Sequence, residues 1–130
     1  MKSTFVIDAN VIIRYLLADH PKHFQRAKAL MEQVKSGEVG AFIPQGVMVE
    51  CVYVLLKFYR VPRAEISENL STILNYRGVV NEDRAIMLSA LHTFGEKNVD
   101  IVDAIVHAAS VEHGWASFSF DRDLDGFKKK

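Results

Sequence analysis

The sequence predicts a single α/β domain in which helices cover both faces of a small central parallel sheet. Short runs of β-branched and aromatic residues alternate with longer segments of helical periodicity, and two helices separate each strand from the next. The chain has 130 residues, 49% of them hydrophobic and 25% charged, without repeats or a linker, as in one ordinary globular domain. We therefore expect a three-layer α/β/α sandwich over residues 1–130, with a disordered lysine-rich tail at 128–130.

The first half of the chain predicts two strands and three helices. Residues 4–7 are β-branched or aromatic and predict a short buried strand. Gly37 can take the left-handed conformation that ends a helix. The long apolar run that follows the second strand predicts a buried helix, because it exceeds the usual length of a strand. The expected order is strand, helix, helix, strand, helix, at residues 4–7, 9–18, 20–36, 41–43 and 46–59.

The second half of the chain predicts three more helices and two more strands. Pro62 suits the first turn of a helix, and Asn81 suits a helix cap. Gly114 ends the last helix, and the aromatic run after it predicts the fourth strand. The expected order is helix, strand, helix, helix, strand, at residues 62–75, 79–80, 81–94, 100–113 and 115–120.

Charge and cysteine content limit the possible functions. Lys plus Arg and Asp plus Glu each number 16, so a role with nucleic acid must depend on a local site and not on a broadly basic surface. The single Cys51 excludes an intrachain disulfide and lies in an apolar run that predicts an inert core thiol. No secretory signal or membrane-spanning run is present, so we expect a cytoplasmic protein without membrane contact.

Acidic residues occur where predicted strands end and predicted helices begin. These ends meet at one edge of a parallel sheet, where ligands commonly bind. Clustered carboxylates repel one another unless a cation neutralises them, and oxygen ligands favour Mg²⁺ or Mn²⁺. Such ions stabilise charge on a phosphoryl group, so the pattern predicts phosphodiester hydrolysis. The acids at these positions are Asp8, Glu50, Asp100, Asp103, Asp121 and Asp123.

Purely structural explanations for these acids remain open. Asp8 and Asp100 also suit helix caps, and Asp103 suits a first helical turn. The acids after the last strand also suit a turn. Glu50 lies among apolar neighbours, so we expect its charge to need a partner, either a metal ion or an arginine.

Four strings together resemble the PIN domain, and most closely its VapC type. They are VIDANVII, VMVECVYVL, DIVDAIVHAAS and SFSFDRDL, in the family's order and spacing. The resemblance implies an Mg²⁺- or Mn²⁺-dependent ribonuclease with one or two ions. It also implies the toxin half of a toxin–antitoxin pair, a homodimer and a groove for a cognate antitoxin.

The resemblance also implies roles for individual residues. The family's four acids correspond to Asp8, Glu50, Asp103 and Asp121, which are then both catalytic and metal-binding. The positions of Asp100 and Asp123 are often acidic and lie near the metal. The positions of Asn10 and Ser119 usually support the site. The family commonly has TFD where this chain has SFD, a conservative difference.

Basic residues near these acids are candidates for RNA contact. Arg14 follows Asp8 on the first helix, and Lys57, Arg60 and Arg63 form a basic run beside two aromatic residues. Such a set suits phosphate contacts and base stacking, although an ordinary solvated helix end explains it too.

Two other functions are compatible with parts of this pattern. A receiver-like Mg²⁺ switch would need an adjacent acid pair after the first strand, whereas Asp8 stands alone. A non-catalytic RNA- or protein-binding module on a PIN-like scaffold would predict a damaged acid set. The apolar residues of the second and fourth helices suit either the core or an interface: Phe24, Leu30, Ile66, Leu70 and Ile73.

Overall fold

The computed structural model describes residues 2–120, so the acids predicted at Asp121 and Asp123 and the tail at 128–130 lie outside the described residues. The chain has a small α/β fold in which helices surround a small parallel sheet, and the predicted order of helix pairs between strands is confirmed. The elements are β1 (Thr4–Val6), α1 (Ala9–Leu17), α2 (Pro21–Ser36), β2 (Gly40–Phe42), α3 (Gln45–Tyr53), a π-helical turn (Val54–Phe58), α4 (Arg63–Leu74), α5 (Arg84–Glu96) and α6 (Ile101–His113).

The sheet is smaller than the sequence predicts. β1 and β2 are parallel, with Phe5 opposite Ala41. The strand predicted at 79–80 is reduced to one parallel bridge between Val79 and Ala41. Asn81 explains this end of the sheet, since its buried side-chain amide accepts a hydrogen bond from the N–H of Ile43 and donates one to the Ile43 carbonyl. The amide thus occupies the N–H and carbonyl of Ile43, which a longer strand would use for pairing. The prediction that Asn81 caps α5 is wrong, because Asp83 is the N-cap.

The prediction of a strand at 115–120 is also wrong. Its backbone turns back onto the end of α6, where the N–H of Trp115 donates to the carbonyl of Ser110. Phe118 is 86% exposed, and the centre of its ring lies 5.5 Å from that of Phe120. β1 is exposed as well, with Val6 72% accessible, so it does not form the buried strand that its sequence predicts. Aromatic and β-branched composition specifies a strand only where a neighbouring strand pairs with it.

The hydrophobic core lies between the sheet and the helices. α4 packs on α5 and α5 on α6, whereas α1 packs on α2 and α3 lies between α1 and α6. Ile66, Leu70 and Ile73 are fully buried in this core, and Phe24 and Leu30 are half-buried on α2. Three of the five apolar residues predicted to lie either in the core or at an interface therefore belong to the core.

The apolar segment at 46–59 is helical, but it changes its winding near its end. α3 passes into the π-helical turn at Val54, where the N–H of Tyr59 donates to the carbonyl of Val54. Arg60 then adopts a left-handed conformation with φ 56°, which is uncommon for a residue with a side chain. Single π-helical turns of this kind often occur at functional sites.

Candidate active site

Helix α3 joins the starts of α1 and α6, the two helices that carry predicted site aspartates. The Sγ atom of Cys51 lies 3.9 Å from the carbonyl oxygen of Ala9, directly after Asp8. Two residues further along α3, the Tyr53 hydroxyl donates to the carboxylate of Asp100 at 2.8 Å. α3 therefore contacts the starts of both helices and fixes them near each other.

Asp8 is the N-cap of α1 and is exposed to solvent. Its carboxylate accepts a hydrogen bond of 2.8 Å from the N–H of Ala9, which confirms the capping explanation. That bond occupies one oxygen and leaves the carboxylate accessible. Asn10, predicted to support the site, is exposed in the first turn of the same helix.

Asp100 is held much more tightly than Asp8. It is the N-cap of α6 and accepts a 2.8 Å bond from the N–H of Val102, while both of its oxygens accept from the Tyr53 hydroxyl, at 2.8 and 3.0 Å. Asp103 lies half-buried one turn further along α6. Partial burial raises the pKa of Tyr53, and the bond to Asp100 and the charge of Asp103 raise it further. The tyrosine thus stays a neutral donor beside the two aspartates.

Glu50 corrects an argument made from the sequence. Its apolar neighbours predict a buried carboxylate that needs a partner, but Glu50 is exposed, because Met48, Cys51 and Val52 face the core and Glu50 faces solvent. It therefore needs neither a metal ion nor an arginine to stay ionised. Cys51 is buried, as predicted, and burial together with the charges of Glu50 and Asp8 raises its pKa to about 12.

The described residues do not form a complete metal site on their own. Within residues 2–120, no group of three or more His, Cys, Asp or Glu side chains is close enough to hold an ion. The donor type fits, since Asp8, Glu50 and Asp103 offer the hard carboxylate oxygens that Mg²⁺ and Mn²⁺ prefer. Ser119 is exposed, and the predicted fourth acid two positions later lies outside the described residues.

The basic residues predicted to contact RNA have different surroundings. Arg14 forms an ion pair with Asp19 at 2.7 Å, and the Tyr59 hydroxyl donates to the same carboxylate. Lys57 lies 5.2 Å from the centre of the Tyr53 ring. Next to it, Phe58 is 76% exposed at the end of the π-helical turn. Cationic and aromatic side chains thus lie on the helix that carries Glu50 and on the turn that extends it.

Arg63 does not belong with these basic residues. Its guanidinium donates to the backbone carbonyls of Phe94, Lys97 and Val99, and it lies 4.3 Å from the centre of the Phe94 ring. Arg63 therefore fixes the connection between α5 and α6, and with it the position where α6 begins. Sequence reasoning missed this role and that of Tyr53, because each side chain binds a partner more than 30 residues away.

Comparison with known families gives one match. The sequence profile of the PIN domain matches residues 5–130. No curated protein matches the chain. In the part of the chain that the structure describes, no helix combines the length and hydrophobicity needed to cross a membrane.

Proposed function

The chain belongs to the PIN domain family, and on that premise we propose that it is a divalent-metal-dependent endoribonuclease. PIN domains are generally nucleases, which sets aside the receiver-like alternative. The observation that best supports the proposal is the role of α3, which carries Glu50 and contacts the first turns of α1 and α6, where Asp8 and Asp103 lie.

In this proposal, Asp8, Glu50, Asp103 and Asp121 hold one or two Mg²⁺ or Mn²⁺ ions. Such ions activate water and stabilise charge on a phosphoryl group. The N-terminal ends of α1 and α6 contribute positive potential, which eases the repulsion between neighbouring carboxylates. Asp123 and Ser119 each lie two positions from Asp121 in the sequence. In this proposal Asp123 lies near the metal and Ser119 supports the site.

Asp100 has a positioning role in this proposal. Its oxygens already accept hydrogen bonds from Tyr53 and Val102, so it fixes the start of α6 and with it the place of Asp103. Asn10 supports the site from α1. Tyr53 connects the helix of Glu50 to the helix of Asp103, and its raised pKa keeps it a donor well above neutral pH.

The substrate we propose is single-stranded RNA. Arg14, Lys57 and Arg60 supply phosphate contacts, and the exposed ring of Phe58 supplies a surface on which a base can stack. Because the net charge of the chain is zero, these local side chains must provide the attraction. Binding should therefore weaken as the salt concentration rises.

We also propose that the protein is the toxin of a toxin–antitoxin pair of the VapC type, that it acts in the cytoplasm, and that it forms a homodimer and binds an antitoxin protein. The resemblance of the four strings quoted above supports these finer assignments. Induced expression in bacteria should arrest growth, and expression of Asp8→Asn should not. Equal growth of both strains would contradict the toxin assignment while leaving the nuclease assignment intact.

The experiment that tests the nuclease assignment is cleavage of end-labelled RNA by the purified protein. Mn²⁺ or Mg²⁺ should support cleavage, and EDTA should abolish it. Glu50→Gln should lower the rate by at least about 100-fold, since a metal ligand is worth several kcal/mol in the transition state. Glu38→Gln is the matched control, because Glu38 is an exposed glutamate before β2, whereas α3 follows β2. Equal cleavage by both variants would contradict the assignment of Glu50.

A further inference from the structure

A cavity of about 510 Å³ lies between α1 and α2. Asn10, which lines the cavity, is two residues after Asp8, so the cavity lies beside the proposed active site. Its size falls in the range of pockets that bind a single small ligand. The side chains that line it are Asn10, Val11 and Arg14 on α1, and His23, Arg26, Ala27 and Leu30 on α2.

The lining separates into an apolar and a cationic part. Val11, Ala27 and Leu30 supply aliphatic surface, whereas Arg14, His23 and Arg26 supply nitrogen donors. No carboxylate is among the described residues that line the cavity. Such a surface suits a ligand that has one flat, poorly hydrated part and one anionic part.

Positive charge predominates around the cavity, although the chain as a whole has no net charge. Between Asp19 and Glu32 the sequence contains no acid, but it contains three lysine or arginine residues. The charge of His20 lowers the pKa of His23 most, followed by partial desolvation and then by Arg14, Arg26 and Lys22. A bound anion would relieve this repulsion between cations.

Arg26 is the side chain most available to such an anion. It is exposed, and no ion pair or hydrogen bond joins its guanidinium to another residue within 2–120. Arg14 is paired with Asp19, but both contacts use one terminal nitrogen of a group that carries five N–H donors. Arg14 can therefore keep Asp19 and still donate to a phosphate.

We propose that this cavity binds one nucleotide of single-stranded RNA, next to the phosphodiester held at the active site. This inference rests on the proposed function. The base lies on Val11, Ala27 and Leu30, and its phosphate binds Arg26 and Arg14. An acidic peptide is the other ligand with this charge, but an amphipathic helix needs a longer apolar stripe than the three aliphatic side chains of this cavity.

Binding of a fluorescent RNA oligonucleotide, measured in EDTA so that no cleavage occurs, tests the proposal. Arg26→Gln should weaken binding about tenfold, as expected for the loss of a charge-assisted hydrogen bond. It should also lower the slope of log K against log salt by about 0.7, the value for one phosphate contact on a single strand. Arg77→Gln is the matched control, since Arg77 is exposed and packs against Gly37 at the opposite end of α2.

The outcomes separate this proposal from the nuclease assignment. Unchanged RNA affinity in Arg26→Gln, with metal-dependent cleavage by the wild type, overturns the nucleotide site alone. Weakened binding in Arg26→Gln but not in Arg77→Gln supports the site, even if the wild type cleaves no RNA. Binding of a poly-glutamate peptide that depends on Arg26, without binding of RNA, overturns the proposal in favour of a peptide site.

Discussion

The starts of α1 and α6 each place an aspartate at a helix cap, but the two carboxylates differ in how they are bound. Asp8 accepts one hydrogen bond, from the N–H of the next residue, and is otherwise open to solvent. Asp100 accepts from a backbone N–H and from the Tyr53 hydroxyl, so both of its oxygens are engaged. The same residue type after a non-helical segment thus serves two purposes, with Asp8 available to a ligand and Asp100 fixing the structure.

The largest effect expected from this difference concerns catalysis. Asp8→Asn should reduce RNA cleavage by at least about 100-fold, because it removes a proposed metal ligand and keeps the cap. Asp100→Asn should reduce cleavage by less than about tenfold, since the amide oxygen still accepts from Tyr53 and Val102. Initial rates with saturating Mn²⁺ measure both. Equal losses would show that the two aspartates act alike in catalysis, in spite of their different hydrogen bonds.

Stability should show the opposite order. Asp100→Ala should lower the free energy of unfolding by about 2 kcal/mol, because it removes a helix cap and leaves the Tyr53 hydroxyl without its acceptor. Asp8→Ala should cost less than about 1 kcal/mol, because only one local contact is lost. Urea unfolding followed by circular dichroism measures both values. A larger loss for Asp8→Ala would contradict the assignment of Asp100 as the structural member.

Tyr53→Phe removes the hydroxyl that donates to Asp100 and leaves the hydrogen bond of Asp8 unchanged. We expect a loss of about 1 kcal/mol, typical of a hydrogen bond to a charged group that remains accessible to water. The Asp8 end serves as the internal control, so the affinity for Mn²⁺ at the proposed site should fall much less than it does in Asp8→Asn. Stability equal to that of the wild type would show that the Tyr53–Asp100 bond contributes nothing measurable.

The smallest expected effect is on pH dependence. The pKa of Tyr53 is raised above its ordinary 10.0, chiefly by desolvation. The unfolded tyrosine therefore loses its proton first, so the contribution of Tyr53 is complete below pH 10.0 and decreases as the pH rises above that value. The stability difference between wild type and Tyr53→Phe should stay constant from neutral pH to near 9 and shrink above about 10. A difference that disappears near neutral pH would contradict this.

The sequence alone predicts the order of the helices well, because their ends depend on local chemistry. Gly37 and Gly114 adopt left-handed conformations at the predicted ends of α2 and α6. Strands are harder to predict: residues 79–80 have strand-like composition but form a single bridge, and residues 115–120 have it but are not assigned to a strand. Pairing depends on which edges are available, and composition carries no such information.

For the candidate site, the sequence predicts the acids but not their surroundings. Asp8 and Asp100 lie at helix starts as expected, whereas Glu50 is exposed in spite of its apolar neighbours. The periodicity of α3 explains this, because adjacent residues on a helix point in different directions. The roles of Tyr53 and Arg63 depend on partners distant in sequence, so no local pattern could reveal them.

The thermal stability of wild type and Asp8→Asn, with and without Mn²⁺, tests whether these carboxylates form a metal site. In EDTA the two should melt at similar temperatures, because asparagine caps a helix as well as aspartate does. Excess Mn²⁺ should stabilise the wild type by about 2.7 kcal/mol at 100 times the dissociation constant, and Asp8→Asn far less. A wild-type melting temperature that does not change in millimolar Mn²⁺ would contradict the claim that these carboxylates form a metal site.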